Sequence, residues 1–280
     1  MEGADGHFTA DRAGGYLLNS EGTPSTSAAP LLVGSFGTPS GSYDRAARRW
    51  LPVSRDNVRS DGLAYAYAEG YKAKPSDQLE SLTRIHVVSL ADGNDRVIFS
   101  GGPYAVLAYE PEGIYIVGVH YYAGESSNGL WRLDPASGAV VSISANGYFV
   151  HVGGGVGWTL DRGIQPFVLT RLDLKTGATQ VWADVTNVAW LSFVGVDGSG
   201  NPFVLQSSLS GGGQPDVLVM FTSPMNGTPI ANGNFSLSSI TDAHGSWFSG
   251  PDGIYLYSSG TMRRVSSITS GWGYPAGACL

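Results

Sequence analysis

The feature that most constrains this chain is a repeat. An apolar strand, a polar turn containing glycine and a second strand recur along the 280 residues, and a period of roughly 40 residues marks a fold assembled from copies of one small sheet. The clearest copies are LWRLDPASGAVVSIS from Leu130 and LTRLDLKTGATQVWAD from Leu169. In both, alternation sets leucine and aromatic residues on one face, while Asp-x-x-Ser/Thr-Gly closes a hairpin with glycine at the site of positive φ. A looser copy, IHVVSLADGNDRVIFSG, starts at Ile85. The turn glycines Gly93, Gly138, Gly177, Gly227 and Gly260 are 45, 39, 50 and 33 residues apart. With SYDRAARRWLPV near Ala46 they make six hairpins.

A second unit interleaves with the first: a turn ending in glycine that leads into a short aromatic strand. Its copies are SDGLAYAYA (Gly62), PEGIYIVGV (Gly113), GGVGWTL (Gly157), GSGNPFVLQ (Gly200) and PDGIYLYSS (Gly253). Alternating inner and outer hairpins predict an all-β single β-propeller of about six four-stranded blades; seven blades or a β-sandwich are the alternatives. Residues 1–12 read as a tail and 13–280 as the propeller. Strands near Leu17 and Leu32, with the segment after Ile268, are expected to close the ring, because a propeller seals its edges by completing one blade from both termini.

Forty glycines, 15 prolines, 14 tyrosines and only 14 % charged residues fit many short strands and tight turns rather than amphipathic helices. A net charge of −7 argues against a nucleic-acid partner, which needs clustered Lys and Arg. The densest basic stretch, Arg45, Arg48, Arg49, Arg55 and Arg59, reads as a solvated turn. The single cysteine, Cys279, permits neither an intrachain disulfide nor a cysteine metal site. No apolar run is long enough to span a bilayer as a helix, and the first residues lack a signal peptide's pattern. The abundance of Ser, Thr and Gly, and of Arg over Lys, nevertheless suits an exported bacterial protein whose leader has been removed. The Asn-x-Ser/Thr sites at Asn226 and Asn234 matter only in a glycosylating pathway.

The element SDGLAYAYAEG resembles the Ser/Pro-Asp-Gly and aromatic-alanine signature of TolB-type bacterial propeller repeats, and LDPASG, LDLKTG and PDGIYLY are similar to the connecting hairpins of that broad class. The resemblance covers residues 41–265 and implies the propeller fold. It implies little about function, because one scaffold hosts many activities.

Chemistry on such a scaffold belongs to the innermost strands and the loops at their ends. Asp242-x-His244 is the best local candidate for an imidazole oriented by a carboxylate, with a capping hydrogen bond as the structural alternative. His151, aligned on the turn glycines, falls level with Leu107 and Trp247, which favours packing over ligation. His86 reads as structural. Tyr121, Tyr122 and Trp131 form a candidate aromatic patch for stacking on sugar rings, against core packing as the alternative. His120 reads as peripheral. The loop Asp197–Asn201 lacks the distal bidentate Glu of an EF-hand and reads as a plain turn. No metal site, cofactor, phosphate cradle or nucleophile elbow is expected. The leading expectation is a non-catalytic, exported or envelope-associated module, monomeric, that binds a protein or glycan. The rival is an enzyme at the channel mouth, either a lyase using Asp242, His244 and His151 or a glycoside hydrolase drawing on Asp161, Asp184, Asp197 and Asp242.

Overall fold

The structure is a computed structural model that describes residues 7–11, 14–18, 24–27, 42–44, 49–51, 53–72, 81–118, 128–161, 165–209, 215–266 and 274–275. Every regular element among them is a β-strand, apart from one 3-10 turn at Arg55–Asn57. The strands are β1 (His7–Asp11), β2 (Gly14–Leu18) and β3 (Pro24–Ser27), then the hairpin β4 (Ser42–Asp44) and β5 (Arg49–Leu51). Next come β6 (Ala64–Lys72), β7 (Ser81–Ser89) and β8 (Asp95–Gly101), followed by β9 (Tyr104–Glu110), β10 (Gly113–Gly118), β11 (Leu130–Leu133) and β12 (Val140–Ser144). The next group is β13 (Phe149–Gly153), β14 (Val156–Leu160), β15 (Phe167–Asp173) and β16 (Thr179–Val185). The last groups are β17 (Val188–Val196), β18 (Pro202–Ser208), β19 (Val217–Ser223) and β20 (Asn226–Asn232), then β21 (Ser239–Asp242), β22 (Gly245–Gly250), β23 (Gly253–Ser258) and β24 (Thr261–Ser266), and finally β25 (Tyr274–Pro275).

Four antiparallel sheets take their strands in sequence order, β9–β12, β13–β16, β17–β20 and β21–β24. A fifth joins both ends of the chain in the order β25-β1-β2-β3, with Thr9 opposite Pro275 and His7 opposite Leu18. Residues 7–11, inside the stretch expected to be a tail, are therefore a strand, and Leu17 lies in that sheet; Leu32 falls outside the described residues. The β6–β8 sheet has three strands, and its first-position strand is reduced to a single bridge between Val58 and Tyr65.

Two compact units divide the chain, Asp56–Val181 and the combination of Met1–Arg55 with Trp182–Leu280. In the first, Ala64, Ala66, Ile85 and Val87 alternate onto one face of their sheet and pack with Tyr109, Ile114, Ile116 and Leu133 of the next. Burying each of these large aliphatic side chains contributes about 1.5–3 kcal/mol. Tyr115, Val117, Leu130, Phe149, Val152 and Leu172 repeat the arrangement one sheet further on. Buried Asn128 fastens those sheets, accepting from the Phe149 amide at 2.8 Å and donating to its carbonyl at 3.3 Å. In the other unit Phe203 and Phe248 meet edge-to-face at 5.1 Å. There the Thr241 hydroxyl donates across to the Val196 carbonyl at 2.6 Å.

The register corrects one alignment. Gly253 lies in the turn joining β22 to β23, the second and third strands of its sheet, whereas Gly62, Gly113 and Gly200 lead from the first strand position to the second. The matching turn of the last sheet is Asp242–Ala243–His244–Gly245. Likewise Gly154 and Gly155 carry the positive φ of the β13–β14 turn, while Gly157 lies inside β14 under the Phe149 ring. Trp247 therefore corresponds to the equally buried Trp158, and the partners of His151 in the repeat are Ala108, Phe193 and Ile240.

Candidate functional site

Asp242 ends β21 and His244 closes the two-residue turn into β22. One carboxylate oxygen, Oδ1, accepts the backbone N–H of His244 at 2.9 Å and the indole N–H of Trp247 at 3.0 Å. The other, Oδ2, lies 3.2 Å from His244 Nδ1. A short carboxylate that reaches the amide two residues on is an Asx turn, so Asp242 fixes the hairpin and the imidazole together. The side chains are 17 % and 33 % exposed, and Trp247 is fully buried. With Nδ1 donating to Asp242, His244 Nε2 is left as the acceptor nitrogen. The pair picked out from the sequence is thus brought into contact, on a carboxylate that also holds a core indole.

His151 belongs to the Asp56–Val181 unit, on β13 opposite Trp158. Its side chain is 14 % exposed, and Nδ1 lies 3.7 Å from Asp56 Oδ2, beyond direct hydrogen-bonding distance. Burial pushes its pKa down and the Asp56 charge opposes the shift without cancelling it, so the ring is neutral at pH 7. The imidazole lies over Gly153: a Cβ there would stand 3.0 Å from Nε2 and 3.9 Å from Glu110 Oε1. Arg59, from the basic stretch, is committed elsewhere. It grips Asp61 through Nε and Nη2 at 2.8 and 2.7 Å and lies 6.0 Å from the centre of the Tyr109 ring.

Trp131 packs edge-on against Tyr104 at 5.3 Å and joins the apolar cluster of its unit, the alternative weighed for it from sequence. Tyr121, Tyr122 and His120 lie outside the described residues.

A cluster on β6–β8 was not singled out from the sequence. The Tyr67 hydroxyl donates to Asp95 Oδ2 at 2.7 Å, His86 Nδ1 meets Asp95 Oδ1 at 2.8 Å, and the Tyr67 and His86 rings stack at 4.5 Å. On the far side His86 Nε2 lies 3.4 Å from Glu69 Oε2, which also pairs with Arg84 at 3.5 Å. Burial opposes the charge on Asp95, yet the hydrogen bonds from Tyr67 and His86 hold its pKa below the usual value; Tyr67 is pushed up, first by burial and then by Asp95. Period-two alternation puts Tyr67 with Glu69 and Arg84 with His86, but only the register Tyr67↔His86 joins the two rows.

No family model matches the sequence, and no curated protein does. Similar solved structures include the β-propeller domain of the Trilobed protease from Pyrococcus furiosus, with a TM-score of 0.54 at 10 % identity over 76 % of this chain and 71 % of that one. A putative TolB from Agrobacterium tumefaciens gives 0.51 at 13 % identity over 84 % and 82 %. The fold is a β-propeller. An oligogalacturonate lyase from Vibrio parahaemolyticus shares this propeller fold, with a TM-score of 0.54 at 12 % identity over 83 % and 76 %. A prolyl endopeptidase gives 0.59 at 13 % identity over 89 % of the present chain, which spans only 45 % of that longer protein.

In this propeller most turn aspartates do the same work. Asp134 accepts the amides of Ala136 and Ser137, Asp173 those of Lys175 and Thr176, and Asp61 that of Leu63. Asp197 folds back on its own turn, accepting Ser199 and Asn201 amides at 2.8 Å each and the Asn201 side chain at 2.9 Å, which is the plain hairpin read from the sequence. Among the described residues, no group of three His, Cys, Asp or Glu is placed to hold a metal ion, and no helix is long and apolar enough to cross a membrane.

Proposed function

We propose that the chain is a six-bladed propeller that works as a non-catalytic binding module for a protein or glycan, monomeric, and exported or held at the cell envelope. Among the described residues, the five four-stranded sheets and the β6–β8 sheet with its reduced first strand support the count of six, beside the separate two-stranded β4–β5 hairpin. The observation that carries the functional reading is the engagement of the Asp242 carboxylate. Both of its oxygens face partners inside its own hairpin, one of them a buried indole. A carboxylate so engaged is not itself turned towards substrate as base or nucleophile, and Asp61, Asp134, Asp173 and Asp197 are likewise turned onto their own turns. The Ser-, Thr- and Gly-rich composition supports export, and the shared fold with a putative TolB is compatible with a binding role.

A lyase is the second reading, favoured by one observation: His151 Nδ1 stands 3.7 Å from Asp56 Oδ2, with Glu110 across Gly153. In that reading His151 Nε2 takes the proton next to the uronate carboxylate, the electron pair forms a double bond as the C–O bond to the leaving sugar breaks, and the departing oxygen is protonated by water. Purified protein incubated with oligogalacturonate and with neutral oligosaccharides separates the readings. The binding module leaves every sugar intact, whereas an unsaturated product that disappears in His151→Ala establishes the lyase.

A further inference from the structure

Among the described residues, the six larger sheets end on β3, β8, β12, β16, β20 and β24, each paired with another strand on one side only. Such an edge can take up a strand from another chain, and proteins blunt it with charged residues or proline. Five of the six follow that rule: β3 begins with Pro24, β8 carries Asp95 and Arg96, β16 Asp184, β20 Pro229, and β24 Arg263 and Arg264. The remaining edge, β12 with the sequence VVSIS, holds neither.

The turn of the following sheet also leaves β12 open. Two outer hairpins lean on the end strand of the sheet before them: a Cβ on Gly138 would strike the Ile98 carbonyl oxygen of β8, and the Met225 amide donates to the Trp182 carbonyl of β16 at 2.8 Å. Gly177 holds the same turn position in the sheet after β12, and a Cβ there meets nothing within 4 Å. Gly260, in the sheet after β20, is equally open, but β20 has its proline.

The hairpin of β12 dictates which backbone groups it offers. The Asp134 amide donates to the Ala139 carbonyl at 2.9 Å. Antiparallel pairs alternate between bonded and non-bonded, so Arg132↔Val141 is the next bonded pair, and the N–H and C=O groups of Val140 and Ser142 turn away from β11. Val140 and Ile143 pack against two different apolar clusters, which fixes the strand, while Val141 is 49 % exposed and Ser142 is exposed beside it.

We propose that the edge of β12 takes an extended, uncharged segment of a partner protein as an added strand. Main-chain hydrogen bonds form at Val140 and Ser142, and a β-branched side chain of the segment lies beside Val141. A charged segment finds no counter-charge on this strand. At about 3.4 Å per residue the edge is roughly 17 Å long, the length of a short peptide. A second copy meeting this strand would bring together far fewer than the roughly 20–30 residues a side of a stable dimer. The proposal rests on the binding-module reading and makes its partner a protein strand.

The test titrates the full chain with the blocked peptide SGAVVSISAN, the uncharged sequence of residues 137–146, by calorimetry, with amide hydrogen exchange to map the contact and circular dichroism to check folding. Wild type binds the peptide and slows exchange at Val140 and Ser142. Ser142→Pro removes an N–H that its own sheet does not use, and weakens binding about tenfold or more. Ser142→Ala keeps that N–H and binds like wild type, whereas Val141→Lys gives β12 the charge of the other edges and weakens binding. Should Ser142→Pro fail to fold, a peptide N-methylated at alternate amides takes its place and loses the same affinity. No binding, binding that Ser142→Pro or N-methylation leaves unchanged, or protection mapped to another strand overturns the β12 site, while the binding-module reading stands or falls on the sugar experiment. A wild type that sediments as a dimer, with Ser142→Pro a monomer, makes the occupant a second copy and overturns the partner segment.

Discussion

Asp242→Ala removes the acceptor of a fully buried indole N–H together with the turn's amide cap. Leaving the Trp247 N–H unsatisfied costs about 1–3 kcal/mol, seen as a lower denaturant midpoint at unchanged slope. His244→Ala, which removes only a partly exposed ring, costs much less. The exposed turn aspartates make a different prediction. Hydrogen bonds hold their pKa values below the ordinary carboxylate: for Asp61 first from Arg59, for Asp92 from Ser89, for Asp134 from the Ala136 amide and for Asp173 from the Thr176 amide. A folded-state pKa below the unfolded one adds stability above the unfolded value, and that contribution is lost as pH falls through the folded one. The melting temperature is therefore predicted to fall as pH drops below about 4, the ordinary Asp value. Asp134→Asn with Asp173→Asn makes that decline shallower. A melting temperature independent of pH in this range contradicts the role given to the caps.

Equivalent turns on different outer hairpins are not equally tolerant. Gly138 and Gly177 both sit at positive φ, 72° and 73°. Around Gly177 a Cβ meets nothing within 4 Å, so Gly177→Ala costs only the left-handed backbone, about 1–2 kcal/mol. At Gly138 a Cβ runs into the Ile98 carbonyl oxygen of the neighbouring sheet, so Gly138→Ala destabilises clearly more in the same melt. The same pair shows what was legible in sequence. Asp-x-x-Ser/Thr-Gly announced both hairpins because a local hydrogen-bond pattern demands those residues, and SDG, PEG and GSGN announced three of the inner turns. The Asp-Ala-His-Gly turn carries no such signature, and PDG reads as the turn from first to second strand although it joins the second to the third, because turn chemistry does not say which strands it joins. Asp242 and His244 were found together because they are two residues apart. The Tyr67–His86–Asp95 cluster stayed out of sight because it depends on register, and a one-residue slip or bulge changes which face a side chain takes.

Within each unit, sheets of one plan follow one another and apolar cores lie between neighbouring sheets. Turn aspartates hold amides and Asp242 holds an indole. Binding and turnover separate in one experiment: titrate the protein with the neutral and uronic oligosaccharide panel in a calorimeter, then recover the sugar from the same cell and analyse it by chromatography. A binding module takes up an oligosaccharide saturably and releases it unchanged. Conversion of any sugar to shorter or unsaturated products, lost in His151→Ala or Asp242→Asn, would contradict it.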